Sequence, residues 1–424
     1  MAETLLTNLP GTRDVLPAEI SSWHLVEQKA RNIFSRYGFQ EIRTPLLEAT
    51  ELFARSIGGE TDIVGKEMYT FEDQSGKSVS LRPEATASTV RAYLQHSMHR
   101  GVGVTKLYYL GPMFRHEKKQ KGRWRQFYQI GAEALGSEHP AIEAEVIEMM
   151  LLFLDSLEVQ SRLLINSVGD ANCRPQYIET LRRELHRHQA DLCEDCRRRT
   201  EVNPLRVLDC KVAACQPVIN TLPMIADHLC EDCSRHFELV KSHLQEAGIS
   251  YEIVPRLVRG LDYYVKTAFE IVSGELGAQN ALVGGGRYDG LAEVLGGPRV
   301  PGFGFAMGLD RLVMILPEHV SAGGKHPPEL FLAHLGEAAF RRAILTARTL
   351  RHQGFACHLE FTGGSLKSQL RQADRAGARA VLIIGEDELA RDRYVIRRMQ
   401  DSTQQEVSLD ELEGYLRAQR APGN

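Results

Sequence analysis

The sequence predicts an α+β protein. Residues 1–325 are expected to form an antiparallel sheet flanked by helices and split by a helical insertion at 171–250, and residues 326–424 a smaller α/β domain. Three observations carry this expectation. Between residues 67 and 134 short alternating runs follow one another without regular helices, as antiparallel strands do. Strand character returns after residue 250, beyond a long charged helical stretch. Only after Glu329 do strands and helices alternate regularly.

Each element has its own signal. From Ser21 to Tyr37 the apolar residues Trp23, Leu25, Val26, Ile33 and Phe34 recur at helical spacing, and Gly38 stands where a helix would stop. Phe39 to Pro45 alternates and ends at a proline, which predicts a strand and turn. Further strands are predicted at Glu67–Phe71, Ser78–Arg82, Lys106–Leu110 and Gln126–Ala134, with Ser75 and Gly76 as turn residues. Residues 176–248 contain QYIETLRRELHRHQADL and HFELVKSHLQEAG, charged helical patterns with few strand signals. Strands are expected again at Tyr251–Leu257 and Thr267–Val272, followed by a glycine-rich stretch and a helix beginning near Gly308. SAGGKHPPE, ending at Glu329, has linker composition. After it come LFLAHL, a helix at Ala338–Gly354, ACHLEF, a helix at Leu366–Gly377 and AVLIIG.

Composition limits the function classes. With 43% hydrophobic and 25% charged residues, the 424-residue chain has ordinary globular usage and length for two or three cores. No apolar run reaches the ~18–20 residues of a membrane span, and the start lacks a basic end followed by an apolar stretch, so a cytoplasmic protein without membrane partners is expected. A net charge of −4 gives no global basic field, so any RNA contact must use local patches.

The most informative stretch is GPMFRHEKKQKGRWRQFYQIGAE, residues 111–133, a strand, a basic loop and a strand. Arg115, Lys118, Lys119, Lys121, Arg123 and Arg125 are opposed there only by Glu117, which suits ATP phosphates or an RNA backbone. A solvated basic hairpin explains the same charge run. Gln129 and Glu133 are an even number of residues apart and so share one strand face, with Ile130 on the other. Glu84 and Thr86 in LRPEATAS are further polar candidates for that pocket, or plain structural polar residues.

LVRGLDYY, residues 257–264, sets Arg259 behind a predicted strand, where an arginine suits bidentate phosphate binding or a surface turn. LVGGGRYDGL permits close backbone approach to a ligand, though glycine triplets also occur in hairpins. PGFGFAMGLDRL leads into a helix whose Arg311 could face a phosphate or cap the helix. None of these stretches fits GxxxxGK[ST], nor convincingly GxGxxG after a strand, so a different nucleotide fold is required.

Taken in order, LRPEATAS, FRHE followed by RQFYQIGAE, LVRGLDYY, GGGRYDGL and GFGFAMGLDRL resemble the class II histidyl-tRNA synthetases of bacterial type. GTRDVLP near the start and FTGGSLKSQLRQADRAGARAVLIIGEDE in the C-terminal domain are similar to that family too. The resemblance implies a class II catalytic domain, an α/β anticodon-binding domain, and a two-step ligation of L-histidine to tRNA(His) through histidyl-adenylate. Arg115 and Arg259 would be catalytic, flanking the α-phosphate of ATP. Arg123 and Arg311 would hold the β- and γ-phosphates, Phe127 would stack on adenine, and Glu117 would help place Mg²⁺. Glu84, Thr86 and Gln129 match positions that hold the histidine α-ammonium, and Glu133 and Tyr264 those that read the imidazole. Arg115, Arg259, Leu261 and Tyr263 complete the histidine site. A homodimer formed through residues 21–48, an insertion leaning on the tRNA acceptor stem, and recognition of the anticodon and an extra 5′ guanosine are implied in the same way.

Eight cysteines in a chain without a secretory signal are expected to be reduced, metal-bound or packed. Cys193-x2-Cys196 and Cys230-x2-Cys233 have the spacing of a four-thiolate structural Zn²⁺ site, although the pairs are far apart; buried thiols and disulfides are the alternatives. Two other functions are compatible with parts of the sequence. One is a synthetase-like regulatory subunit of the kind that partners ATP phosphoribosyltransferase, and the other is a non-catalytic nucleic-acid module. The retained LVRGLDYY, Arg115, Arg311 and C-terminal domain speak against the first, and the polar pocket against the second.

Overall fold

The computed structural model describes residues 5–58, 61, 63–117, 122–259, 261, 263–276, 281–322, 327–361 and 363–420. Lys118, Lys119 and Lys121 of the basic loop, Gly260 and Asp262 of LVRGLDYY, and the middle of the expected linker lie outside the described residues. The chain divides into two units, Met1–Gly324 and Lys325–Asn424.

In the first unit the strands are β1 (Gln40–Glu41), β2 (Leu47–Ala49), β3 (Thr70–Glu72), β4 (Ser78–Leu81), β5 (Thr105–Phe114), β6 (Gln126–Leu135), β7 (Arg162–Ser167), β8 (Tyr251–Ile253), β9 (Val265–Val272), β10 (Ala281–Arg287) and β11 (Gly302–Gly308). One large sheet runs β1-β5-β6-β11-β10-β9-β7-β8, and β2-β4-β3 form a separate small one. Every neighbour pair from β5 to β7 is antiparallel, while the edge strands β1 and β8 are parallel to theirs. The expected strand at Phe39–Pro45 shrinks to two residues, because Arg43, Thr44 and Pro45 leave the ladder on the way to β2.

Strand alternation decides which face carries the core. Ile130, Ala132 and Ala134 of β6, Phe303, Phe305 and Met307 of β11, and Phe269 and Ile271 of β9 enter one hydrophobic cluster. Helices Pro17–Arg36 and Ala141–Ser156 cover that face through Trp23, Val26, Phe34, Ile147, Met150 and Phe153. The opposite face carries Gln129 and Glu133, with Gly304, Ala306 and Gly308 beside them on β11 and Gly284 on β10. Small residues in the middle strands leave a hollow on part of that face, beside a second packed cluster that includes Val90, Tyr93, Leu135, Ala268 and Tyr288.

The insertion enters the chain between β7 and β8. Helices Arg174–Arg187, Glu194–Val202, Gln216–Thr221 and Glu231–Glu246 are joined by short 3₁₀ turns. Tyr177, Leu181, Leu185, Val207, Ile219 and Ile225 give it a core of its own. Polar links are among the contacts that fasten it to the sheet domain. Arg256, after β8, donates to the carbonyls of Ile219, Asn220 and Leu222. His236 of the last helix bonds the fully buried Glu143 at 2.6 Å, and Glu143 also receives Arg287 Nε at 2.5 Å. Arg287 and His236 share one buried carboxylate oxygen, so removing Glu143 would leave Arg287 only Asp289 as an ion-pair partner among the described residues and take this bond from His236.

The second unit is a mixed sheet of β12 (Leu330–His334), β13 (Cys357–Leu359), β14 (Ala380–Ile384), β15 (Tyr394–Arg398) and β16 (Gln404–Val407), in the order β13-β12-β14-β15-β16. Leu330 and Leu332 face a cluster with helices Glu337–His352 and Leu409–Gln419, while Phe331 and Ala333 face Leu366, Leu370 and Ala373 of helix Leu366–Arg375. Both sheet faces are covered, as parallel strand pairs require.

Candidate active site

The hollow face opens into a cleft of about 260 Å³ lined by Arg115, Glu117, Arg123, Phe127, Gln129, Arg259 and Arg311, with Gly284, Ala306 and Gly308 as its floor. Seven residues singled out from the sequence thus share one wall system. Arg115 follows β5, and its Nε donates to the Pro83 carbonyl at 2.8 Å while its guanidinium lies 5.4 Å from the centre of the Phe127 ring. Glu117 sits between two of the arginines, 2.9 Å from Arg123 Nη1 and 3.9 Å from Arg115 Nη1. Arg311 lies in the first turn of helix Leu309–Met314, and burial together with Arg123 lowers its pKa.

Arg259 reaches over the sheet and pairs with Glu270 of β9. Burial opposes its charge, but Glu270 and the tyrosines around it more than offset that and raise its pKa. Its guanidinium lies on the β10 backbone, where a Cβ on Gly284 would come within 1.8 Å of Nη2. One glycine of the triplet is therefore explained by a protein side chain crossing it. Among the described residues, three buried atoms of the cleft lining have no hydrogen-bond partner: Trp124 Nε1, Gln129 Oε1 and Arg259 Nε. Such atoms cost free energy unless something binds them.

Deeper along β6 the chemistry changes from cations to carboxylates and hydroxyls. Glu133 is fully buried; its Oε1 accepts from Thr86 Oγ1 at 2.7 Å and from Tyr109 at 3.4 Å, and its Oε2 accepts from Tyr288. Gly304 lies opposite it in register, and a Cβ there would come within 1.9 Å of Oε2. Glu84 caps helix Thr86–Gln95 through the amides of Thr86 and Ala87, at 2.6 and 3.0 Å. Tyr263 stacks obliquely on Tyr264 at 4.7 Å and edge-on to Tyr288 at 5.7 Å, and Leu261 packs beside them. Burial, then the nearby Glu84, push Glu133 up to about 8 despite its hydrogen bonds, and burial raises Glu84 as well. Burial takes Tyr264 to about 12. The result is a buried, hydrogen-bonded cluster adjoining an open cationic cleft.

Four contributors were not singled out in the sequence. Glu270 and Tyr288 hold Arg259 and Glu133, and Arg13 of GTRDVLP bonds Asp310 on the cleft wall while lying 5.5 Å from the Trp124 ring. Tyr109 points at the same carboxylate as Thr86. Tyr288 stands within the quoted GGGRYDGL, so a signal for it existed; Glu270 looks like any exposed strand glutamate.

The cysteine pairs are arranged differently from the expected set. Cys193 and Cys196 converge with Cys210 and Cys215, whereas Cys230 and Cys233 converge with Cys173 and Asp170. A single site made of Cys193, Cys196, Cys230 and Cys233 does not form, because the two pairs open different helices, Glu194–Val202 and Glu231–Glu246, and each finds nearer partners.

The family model described as histidyl-tRNA synthetase matches residues 11–312, and the one described as anticodon binding domain matches residues 329–419. The chain belongs to the histidyl-tRNA synthetase family. A histidine–tRNA ligase of Solibacter usitatus is 54% identical over 98% of this chain and 99% of its own length. One of Syntrophotalea carbinolica is 48% identical over 97% and 98%. The crystal structure of apo histidyl-tRNA synthetase from S. aureus has a TM-score of 0.81 at 36% identity, covering 97% of this chain and all of that one. The large sheet and the C-terminal sheet unit are accordingly a class II synthetase fold with an anticodon-binding domain.

Proposed function

We propose that the cleft activates L-histidine with ATP and then passes it to the 3′ end of tRNA(His). The observation that carries this reading is the juxtaposition of an arginine-lined cleft, holding three orphaned polar atoms, with a buried cluster of two carboxylates and four tyrosines. In the first step an oxygen of the histidine carboxylate bonds the α-phosphorus and the bond to the pyrophosphate leaving group breaks. Arg115 and Arg259 face the negative charge that grows on the α-phosphate, Arg123 and Arg311 take the β- and γ-phosphates, and Phe127 stacks on adenine. Phosphate entering beside Arg123 frees Glu117, a hard carboxylate of the kind that holds Mg²⁺ together with substrate phosphates; the ion when bound neutralises part of their charge. In the second step a ribose hydroxyl attacks the activated carbonyl carbon and AMP leaves.

Glu84, Thr86 and Gln129 are assigned to the α-ammonium, and Glu133, Leu261, Tyr263 and Tyr264 to the side chain. A buried Glu133 near pH 8 can accept from a ring N–H, or give its own proton to a basic ring nitrogen. A site that bonds both nitrogens rejects isosteres lacking them by roughly 10⁴–10⁵.

The remaining parts of the reading are a cytoplasmic location, an insertion against the acceptor stem, anticodon recognition by residues 326–424, and a homodimer. The exposed Leu47 and Phe71, on one face of the small sheet with β4 between them, support the last, since exposed apolar groups on a sheet favour burial against a partner. The test is histidine-dependent exchange of labelled pyrophosphate into ATP, with other amino acids as controls. Exchange with histidine alone, lost in Arg259→Ala, is expected. Histidine binding without exchange would sink the ligase reading in favour of a regulatory subunit.

A further inference from the structure

The insertion contains the same pentapeptide twice, Leu-Cys-Glu-Asp-Cys, at 192–196 and 229–233. Both copies adopt one conformation: the first cysteine is the helix N-cap, at φ −66° and ψ 164° for Cys193 and at φ −69° and ψ 163° for Cys230. In each copy the cysteine pair meets two further ligand-type groups. The four sulfurs of Cys193, Cys196, Cys210 and Cys215 lie within 4.8 Å of one another, and so do the ligand atoms of Asp170, Cys173, Cys230 and Cys233.

The spacings discriminate between the fates open to these thiols. A disulfide needs sulfurs about 2.05 Å apart. Four ligands at the zinc–sulfur distance of about 2.3 Å put tetrahedral edges at about 3.8 Å. Cys193 Sγ and Cys210 Sγ are 3.9 Å apart, and Cys173 Sγ and Cys233 Sγ 3.8 Å. Asp170 Oδ1 is 3.5 Å from Cys173 Sγ and 3.9 Å from Cys230 Sγ. Supporting donors are present too. The amides of Cys193 and Val212 point at Cys215 and Cys210 at 3.2 and 3.4 Å, and that of Asn172 holds the Asp170 carboxylate at 2.9 Å. Backbone donors of this kind orient ligands and favour their deprotonated forms.

The geometry points to two separate zinc sites, a tetrathiolate of Cys193, Cys196, Cys210 and Cys215 and a trithiolate–carboxylate of Asp170, Cys173, Cys230 and Cys233. Both are closed four-ligand sets, as structural zinc requires. Each lies beside a place where the insertion touches the peptide carrying Arg259. The first braces residues 204–215, from which Arg206 Nη1 donates to the Arg259 carbonyl at 3.2 Å. The second joins the entry of the insertion to the start of its last helix, and Arg174, next to Cys173, donates to the Tyr264 carbonyl. The sites stand without the ligase reading; only their effect on activity would rest on it.

Metal content of the full chain, purified under reducing conditions after growth with zinc, tests the assignment. Two zinc ions per chain are expected. Cys196→Ser and Cys210→Ser should each lose one, Cys173→Ser and Cys233→Ser should each lose the other, and Cys357→Ser should keep both. Zinc X-ray absorption of the unaltered chain, which needs no variant to fold, should average 3.5 sulfurs and half an oxygen per ion, from four and three thiolates. Fewer than two ions after anaerobic zinc loading would overturn the proposal. So would a single ion that survives Cys210→Ser and Cys173→Ser but not Cys196→Ser, because that pattern belongs to a site shared by the two pentapeptides.

Discussion

The two ends of the candidate site use opposite strategies. At the open end, Arg123 is 42% exposed, Arg115 is 19% exposed, and the arginines are held by ion pairs to Glu117 and Glu270 that an incoming anion can replace. At the closed end, Glu133 is wholly buried and bonded to Thr86, Tyr109 and Tyr288. Charge in a hydrated cleft tolerates small displacements and attracts any polyphosphate; a saturated buried network tolerates neither displacement nor a wrong partner. Rate should therefore depend mainly on the first end, and choice of amino acid on the second.

The largest effect that would sharpen this contrast is at Arg259. Arg259→Ala should lower pyrophosphate exchange by ~100–1000-fold, about 3–4 kcal/mol, the scale for losing one donor to a developing transition-state charge. The loss should fall on kcat rather than on the histidine KM; a pure KM effect would break the contrast. Gly284→Ala follows, since its methyl group would occupy the space of Arg259 Nη2 and shift the guanidinium. A displacement near 1 Å can cost ~100-fold, and steady-state kinetics with unchanged thermal stability would show it.

Glu133→Gln should act mostly on histidine. Replacing one acceptor oxygen by a donor facing Thr86 and Tyr288 costs about 2 kcal/mol, or ~30-fold, seen as a raised histidine KM with ATP binding unaffected. An equal loss of ATP affinity would mean the two ends are not separate. The smallest effect is on stability. Because Glu133 is raised to about 8 from an ordinary 4.5, the folded state binds the extra proton between those values. Its contribution is fully present below about pH 4.5 and is lost as pH rises toward 8, with a slope of at most about 1.4 kcal/mol per pH unit. Denaturation of the ligand-free chain at several pH values should show a shallower decline for Glu133→Gln than for the unaltered chain.

The same contrast shows what the sequence could and could not tell. The α+β fold was legible because periodicity reports local structure, and the face shared by Gln129 and Glu133 followed from strand alternation alone. The arginines were visible as a charge cluster, but only the resemblance gave them roles. Glu270 was not visible: its pairing with Arg259 depends on where β9 sits in the sheet, and alternation within one strand does not encode its neighbours. The cysteines failed for the same reason. Spacing identifies which two sulfurs share a helix start, and says nothing of which distant residues complete the set. Likewise, β4 was legible as a strand and β3 only in Thr70 and Phe71, since Glu67 ends a helical turn, and neither was legible as a member of a sheet separate from β5 and β6.

The strand order also has a consequence in time. β6 is bordered on one side by β5, its hairpin partner, and on the other by β11, which begins at Gly302. During synthesis at ~5–20 residues per second, the stretch from Leu135 to Gly302 takes roughly ten to thirty seconds to emerge. For that interval the free edge of β6, with Ile130, Ala132 and Ala134 on its apolar face, waits at the ribosome for a partner not yet made, and an unpaired edge of this kind invites pairing with another nascent chain. Ribosome-associated chaperones should therefore matter most to this protein between the completion of the β5–β6 hairpin and the arrival of β11.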